Sequence, residues 1–242
     1  MAEATASLPV KEDLASAHSR LRILCELAIA YALIMVVIWT PRPWQKLLWW
    51  FAAAAIVIFV GLSFNGLKPM GLRTANFFQS LWITGTAMFL AAIAVVVAVY
   101  LHTLRLPEGG VFAFVKTYWA YALWACFQQL LLQGFFLPRI LGLTKGDRSA
   151  ALLAAGLFAL AHLPNPILTP VTLIWGYAAC MLFLRYRNLY PLAMAHAIFG
   201  IAIAITIPGP VSHNMRVGLG YLTYGHHIHN PNRSSPPQLS KP

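Results

Sequence analysis

The sequence predicts an all-α protein that crosses a membrane several times, and three observations support this. Of the 242 residues, 60% are hydrophobic and 10% are charged, whereas a soluble domain has about 25% charged residues. The apolar residues form long runs, and the charged residues lie in the short segments between them. Because backbone groups in hydrocarbon must be satisfied within their own segment, each run is expected to be a helix. We therefore predict a polytopic transmembrane helix bundle of about seven spans.

The predicted organisation has four parts. A polar N-terminal leader covers residues 1–20, N-terminal transmembrane helices cover residues 21–110, a core covers residues 111–210, and a polar C-terminal tail covers residues 211–242. The predicted spans are residues 21–40, 47–64, 81–101, 117–137, 149–164, 167–184 and 191–207.

Turn and charged residues delimit these spans. Pro41 and Pro43 separate the first two spans, and Pro138 is expected to end the fourth, because proline breaks the helical hydrogen-bond ladder. The fifth span has about fifteen residues, which barely cross a bilayer. Glu26, near the start of the first span, is expected to extend to the interface, and nothing in the sequence brings it close to the fourth span.

The formal net charge of +11 has two interpretations. In a soluble protein it would indicate nucleic-acid binding. Here the basic residues lie between apolar runs, where they are typical topology signals and contacts to anionic headgroups. We therefore expect membrane lipids as partners and no nucleic acid. The distribution of Lys and Arg favours a cytoplasmic N-terminus. We also expect the protein to be integral to a bacterial inner membrane.

The fourth predicted span carries three glutamines, Gln128, Gln129 and Gln133. An amide without partners in hydrocarbon costs roughly 2–7 kcal/mol, so the cluster indicates an internal polar site rather than a lipid-facing surface. On a helix, Gln129 and Gln133 lie one turn apart, with Gln128 beside them.

Two histidines and an asparagine extend this polar set. His162 ends the fifth span, Asn165 follows it, and His196 lies in the seventh span. Phe158 is four residues before His162 and shares its helical face. A single membrane histidine is most often a packing residue, but two histidines together with a glutamine cluster favour a shared site.

In order and spacing, these motifs resemble those of the CPBP group, the CAAX-protease and bacteriocin-processing membrane proteins that are also called Abi proteins. The pattern of that family is EExxxR, then FxxxH, then HxxxN. Here the corresponding segments read QQLLLQ at residues 128–133, FALAH at residues 158–162 and HAIFG at residues 196–200. The resemblance covers residues 116–207. It implies a CPBP-like core and a CAAX-type intramembrane endopeptidase that acts on a lipidated or membrane-anchored peptide.

The resemblance also implies roles for individual residues. Gln129 stands in place of the catalytic base and Gln128 in place of its partner, while the two histidines keep the family's role of orienting water and stabilising the oxyanion. The candidate catalytic residues are Gln128, Gln129, His162 and His196. The candidate substrate-binding residues are Gln133, Phe158, Asn165 and Gly200.

Two departures from the family pattern change the chemistry. A carboxylate can take a proton from water and an amide cannot, and general-base help is worth about 10²–10⁴-fold. At the last motif position, Gly200 supplies no side chain where the family has Asn. The Arg position of the first motif holds the neutral Gln133. Relative to the family pattern, the motif therefore lacks both the negative charges of the Glu pair and the positive charge of the Arg.

Three functions therefore stay open. The first is a divergent CAAX-type endopeptidase, in which a histidine could serve as the base. The second is a pseudoprotease that binds a lipidated peptide or a membrane protein without cutting it. The third is a carrier of a small molecule or lipid, which the short, Pro-flanked fifth span permits. We expect no cofactor. A divalent metal at His162 and His196 is the alternative, although two histidines alone form an incomplete zinc site.

The segment after the last span contains further polar residues. His213, Asn214 and Arg216 could fold back and cap the cavity. The histidines near the C-terminus are interpreted as a solvated His-rich end: His226, His227 and His229.

Overall fold

The structure, a computed structural model, describes residues 8–62 and 66–224. Its helices are α1 (Leu8–Trp39), α2 (Trp44–Leu62), α3 (Phe77–Ser80), α4 (Trp82–Tyr100), α5 (Gly110–Leu131), a π-helical turn (Leu132–Phe136), α6 (Leu137–Leu141), α7 (Asp147–Leu160), α8 (Leu168–Tyr186), α9 (Tyr190–Thr206), α10 (Gly209–Ser212), a 3₁₀ turn (His213–Met215) and α11 (Gly218–Leu222). Helix α1 begins inside the predicted leader, of which residues 1–7 lie outside the described residues.

The all-α membrane architecture is confirmed. Within the described residues, five helical segments are long and apolar enough to cross a membrane: Ser19–Trp39, Trp44–Gly61, Phe77–Tyr100, Gly110–Leu141 and Leu168–Tyr186. The other two predicted spans correspond to the shorter helices α7 and α9, of 14 and 17 residues. A helix of fourteen residues is about 21 Å long, less than the ~30 Å hydrocarbon core. The chain therefore turns inside the bundle directly after α7, at buried residues that include His162.

Three helix pairs form the centre of the bundle: α7 with α8, α4 with α9, and α5 with α9. Small side chains allow the first pair to approach closely, since Ala150, Ala151, Ala154 and Ala155 are fully buried. On the facing helix, a Cβ at Gly176 would lie 3.3 Å from Ala155. Close packing through small residues is the usual way in which helices associate in lipid, where apolar side chains gain little from leaving the solvent.

Pro138 does not end the fourth span, so that prediction is wrong. The helical path continues from Gly110 to Leu141 through a π-helical turn. The Leu137 N–H donates to the carbonyl of Leu132, five residues back rather than four. The extra residue shifts the hydrogen-bond ladder, and Pro138 falls in the first turn of α6, where a missing N–H is tolerated.

This continuation explains a second correction, at Glu26. The extended helix brings Arg139 to α1, where its Nη2 lies 2.9 Å from Glu26 Oε2. Arg139 also lies over the Phe135 ring, 3.6 Å from its centroid, and donates to the Phe135 carbonyl. Glu26 therefore contacts the end of the fourth span, contrary to expectation. The ion pair joins α1 to α6, with side chains only 18% and 10% exposed for Glu26 and Arg139.

The substitution Glu26→Gln removes the carboxylate that faces Arg139. We expect it to lower the free energy of unfolding by about 2 kcal/mol, between the values for exposed and for buried ion pairs. Arg22 also contacts Glu26, but its side chain is 69% exposed, so the control Arg22→Gln should cost about 0.5 kcal/mol or less. Thermal unfolding in detergent measures both variants. Equal losses in the two would contradict the assignment of the ion pair to Arg139.

Candidate functional site

A chain of buried amide and imidazole groups links α5 to α9. The Nε2 of Gln133 donates to Gln129 Oε1 at 3.3 Å, and the Nε2 of Gln129 lies 3.1 Å from His196 Nδ1. Both glutamines are fully buried, and His196 is 5% exposed. Because the Gln129 amide nitrogen can only donate, His196 Nδ1 accepts, and the ring carries its proton on Nε2.

The second imidazole has the opposite tautomer. His162 Nδ1 lies 2.7 Å from the carbonyl oxygen of Phe158, one turn earlier. A carbonyl can only accept, so Nδ1 carries the proton and Nε2 keeps a lone pair. The Phe158 ring stands edge-on to both imidazoles, with centroids 4.8 Å from His162 and 5.7 Å from His196. One phenyl ring thus contacts both a histidine that can accept and a histidine that can donate.

These rings open onto a cavity of about 570 Å³ inside the bundle. Most of its wall is apolar and comes from α1, α2, α5, α7, α8 and α9; examples are Ile34, Ile38, Trp49, Ile56 and Val171. The polar side chains of the wall include Gln128, Tyr121, His162 and His196. The cavity therefore combines a long hydrocarbon surface with a small polar region on one side.

The predicted site residues fall into two groups. Gln128, Phe158, His162, His196 and Gly200 line the cavity. Three others lie behind the wall and are fully buried: Gln129, Gln133 and Asn165. The structure thus brings the polar groups of three segments together, as the sequence predicts, with Gln129 in contact with His196 rather than with the cavity.

Asn165 holds the C-terminal segment in place. Its Oδ1 accepts from the backbone N–H groups of Ile167 and Leu168, each at 3.0 Å. Its Nδ2 donates to the carbonyls of Ser212 at 2.8 Å and Arg216 at 3.0 Å. The amide that was expected to bind substrate has both ends engaged with backbone, so it is a structural anchor.

The anchored segment forms part of the cavity wall. Asn214, Met215 and Val217 contribute to the wall. His213 does not face the cavity; its ring stacks on Tyr221 with centroids 3.9 Å apart. Of the three residues that were predicted to cap the cavity, Asn214 alone contributes to its wall. The Asn214 side chain also donates to the Tyr224 hydroxyl, and Arg216 is held through its carbonyl. The remaining tail histidines, His226, His227 and His229, lie outside the described residues.

Tyr121 is a site residue that the sequence reasoning missed. Its side chain lies over Gly200, where an added Cβ would overlap the Tyr121 hydroxyl and ring. The space that a side chain at the last motif position would occupy is therefore filled by a phenol from α5. One signal in the sequence could have indicated it, because Tyr121 is seven residues before Gln128 and shares its helical face.

No acid lines this cavity among the described residues. Glu26 lies at a separate hollow of about 330 Å³ beside Arg139. In the same part of the chain, no three His, Cys, Asp or Glu side chains lie close enough together to hold a metal ion. The polar region is therefore built of neutral hydrogen-bonding groups.

Fold and site together define an all-helical membrane protein with a neutral polar site beside a hydrocarbon-lined cavity. Residues 110–202, from the start of α5 into α9, match the family described as type II CAAX prenyl endopeptidase Rce1-like. The match contains all three motifs and confirms the resemblance to the CAAX-protease group. No curated protein and no solved structure gives a significant match.

Gly200→Ala should destabilise the protein because its Cβ displaces Tyr121. We expect a loss of about 1–3 kcal/mol, as for other overpacked cores. Combining it with Tyr121→Ala should cost less than the sum of the two single effects, since the smaller residue leaves room for the new methyl group.

Thermal unfolding of the two single variants and the double variant measures this coupling. The matched control is Gly156→Ala, because a Cβ at Gly156 meets nothing within 4 Å. Strict additivity of the Gly200 and Tyr121 effects would contradict the packing described here.

Proposed function

We propose that this CAAX-protease-type membrane protein binds the lipidated end of a peptide or membrane-anchored protein in its cavity and does not hydrolyse it. The observation that carries the proposal is the position of Gln129. Where the resemblance implies a catalytic base, a fully buried amide donates to His196.

The cavity supports binding of a lipid chain joined to a polar group. Its volume of about 570 Å³ lies within the range of roughly 300–1,000 Å³ typical of ligand pockets. The apolar wall suits a prenyl or acyl chain, and the polar region around His162 and His196 suits the peptide that carries it. The matched family is described as a CAAX prenyl endopeptidase, which makes a prenylated peptide the first ligand to test.

The chemistry of the site argues against hydrolysis. An amide cannot take a proton from water, and the loss of a general base costs about 10²–10⁴-fold. If His162 took that proton instead, an imidazolium would form in an apolar cavity whose described wall contains no acid. Glu26 cannot compensate, because its carboxylate already pairs with Arg139. A buried charge without a counter-ion is strongly disfavoured.

A histidine-driven endopeptidase is the second candidate. One observation favours it: His162 lines the cavity, and its Nδ1 proton is committed to the Phe158 carbonyl. This leaves the Nε2 lone pair as the one basic position of the ring. In this reaction the ring would have to accept the proton of a water molecule as that water attacks the peptide carbonyl.

The experiment combines binding and cleavage on the purified protein in lipid nanodiscs. A photoreactive prenylated peptide is crosslinked in competition with the unlabelled peptide, and products are followed by mass spectrometry. We expect saturable crosslinking to wild type, no cleavage by wild type, and slow cleavage by Gln129→Glu. A carboxylate at this position would accept from His196 Nδ1 and leave the Nε2 of that ring as a base facing the cavity. Gln79→Glu, an exposed glutamine in α3, is the matched control and should stay inactive.

Two outcomes would overturn the proposal. Cleavage by wild type that disappears in His162→Ala would replace it with the second candidate. Absence of saturable binding to wild type would reject both candidates, and vesicle uptake without peptide dependence would then indicate a carrier.

A further inference from the structure

The smaller hollow, of about 330 Å³, lies where three membrane-crossing segments reach the same face of the bilayer. Ser19 lies at the start of the first segment, and Val60 and Pro138 lie near the ends of the second and the fourth. All three residues line the hollow, so these helix ends meet around it. The hollow is therefore separate from the central cavity and lies near the lipid headgroups.

The depth of its charged residues agrees with this position. Arg22 and Glu26 lie three and seven residues after Ser19, the first residue of the crossing segment, which is a rise of about 5 and 10 Å along the helix. The headgroup layer on each side of the bilayer is roughly 5–8 Å thick. Arg22 thus lies at the boundary between headgroups and hydrocarbon, with Glu26 one turn deeper.

The charges around the hollow do not balance. Two guanidinium groups share one carboxylate: Glu26 Oε1 accepts from Arg22 Nε, and Glu26 Oε2 accepts from Arg139 Nε, each at 2.9 Å. Glu26 is the only acid among the described residues of this wall, so the three side chains carry one net positive charge. A charge without a counter-ion is costly at this depth, and an anion from the surroundings would remove that cost.

Arg22 is the residue that can bind this anion. Within the described part of the chain only its Nε is engaged, and both of its Nη groups are without a partner. A guanidinium can form two parallel hydrogen bonds to a phosphate. The exposed side chain of Lys68 adds a second cation at the rim, because Lys68 lies between Gly66 and Pro69, which both line the hollow.

The rest of the wall favours a lipid over a small ion. Ile23, Val60 and Met70 give the hollow an apolar surface next to the charged groups. A phospholipid has the same combination, with a phosphate joined through glycerol to acyl chains. Basic pockets between membrane helices are known to bind anionic headgroups in this way.

We propose that this hollow is a binding site for one anionic phospholipid, with its phosphate on Arg22 beside Lys68 and its acyl chains against Ile23 and Val60. The lipid supplies the negative charge that the pair of arginines lacks. The inference concerns a different site from the central cavity and does not depend on what that cavity binds.

The test titrates the purified protein in nonionic detergent with phosphatidylglycerol, and native mass spectrometry counts the bound lipid. Phosphatidylcholine with the same acyl chains is the comparison, since its choline cancels the charge of the phosphate. Phosphatidylglycerol should bind saturably and about fivefold more tightly than phosphatidylcholine, as expected for one basic group facing the headgroup. Inorganic phosphate at the same concentration should not displace it.

Arg22→Gln should weaken phosphatidylglycerol binding about tenfold, because charge-assisted hydrogen bonds are lost. The matched control is Arg20→Gln, which removes the same charge from an exposed residue of α1 that does not line the hollow. Residues two apart on a helix point in nearly opposite directions, so this control should change the affinity less than twofold. Lys68→Gln, in an exposed loop away from the ion pair, should weaken binding about threefold.

Several results would overturn the inference. Equal losses in Arg22→Gln and Arg20→Gln would mean diffuse attraction to a basic surface, and so would wild-type affinity in both Arg22→Gln and Lys68→Gln. Equal binding of the two lipids would show that the net charge of the headgroup does not matter. Displacement by inorganic phosphate would assign the hollow to a free anion. Each of these results would leave the proposed function of the central cavity standing.

Discussion

The buried hydrogen-bond chain from Gln133 through Gln129 to His196 is the interaction on which the site depends. Each member is neutral, and each would be costly in hydrocarbon if its neighbour were removed. The chain joins α5 to α9, the two helices that hold Tyr121 and Gly200. It also determines which nitrogen of His196 carries a proton, and therefore what the cavity can offer a ligand.

The charged side chains of Glu26 and Arg139 lie away from this polar site. The described cavity wall contains no acid, while the ion pair of Glu26 with Arg139 lies at another hollow, on the far side of the π-helical turn. A site with one donor histidine and one acceptor histidine is suited to recognising neutral polar groups. It is poorly suited to forming ions, which is the physical basis for proposing binding without hydrolysis.

Sequence reasoning succeeded where polar residues stood out against an apolar background. The gathering of Gln129, His162 and His196 in one region could be predicted because isolated polar positions on three separate spans had few alternatives, whereas the direct contact of Gln129 with His196 could not. It failed at Pro138. Proline is expected to end a helix because it cannot donate to the carbonyl four residues back, but the π-helical turn shifts this hydrogen-bond pattern by one residue and lets the helix continue. It also missed Tyr121, because an aromatic residue in an apolar span looks like any packing residue until the glycine opposite it is located.

The most direct test of this account is nitrogen-15 NMR of histidine-labelled protein in nanodiscs, with His162→Ala used to assign the two buried rings. The chemical shifts of the ring nitrogens report which one carries the proton. The account predicts opposite tautomers, with the proton on Nε2 of His196 and on Nδ1 of His162. The same tautomer in both rings would contradict the donor and acceptor pattern from which the function is inferred. Protons on both Nδ1 atoms would mean that the Gln129 amide is reversed, and protons on both Nε2 atoms would mean that His162 does not donate to the Phe158 carbonyl.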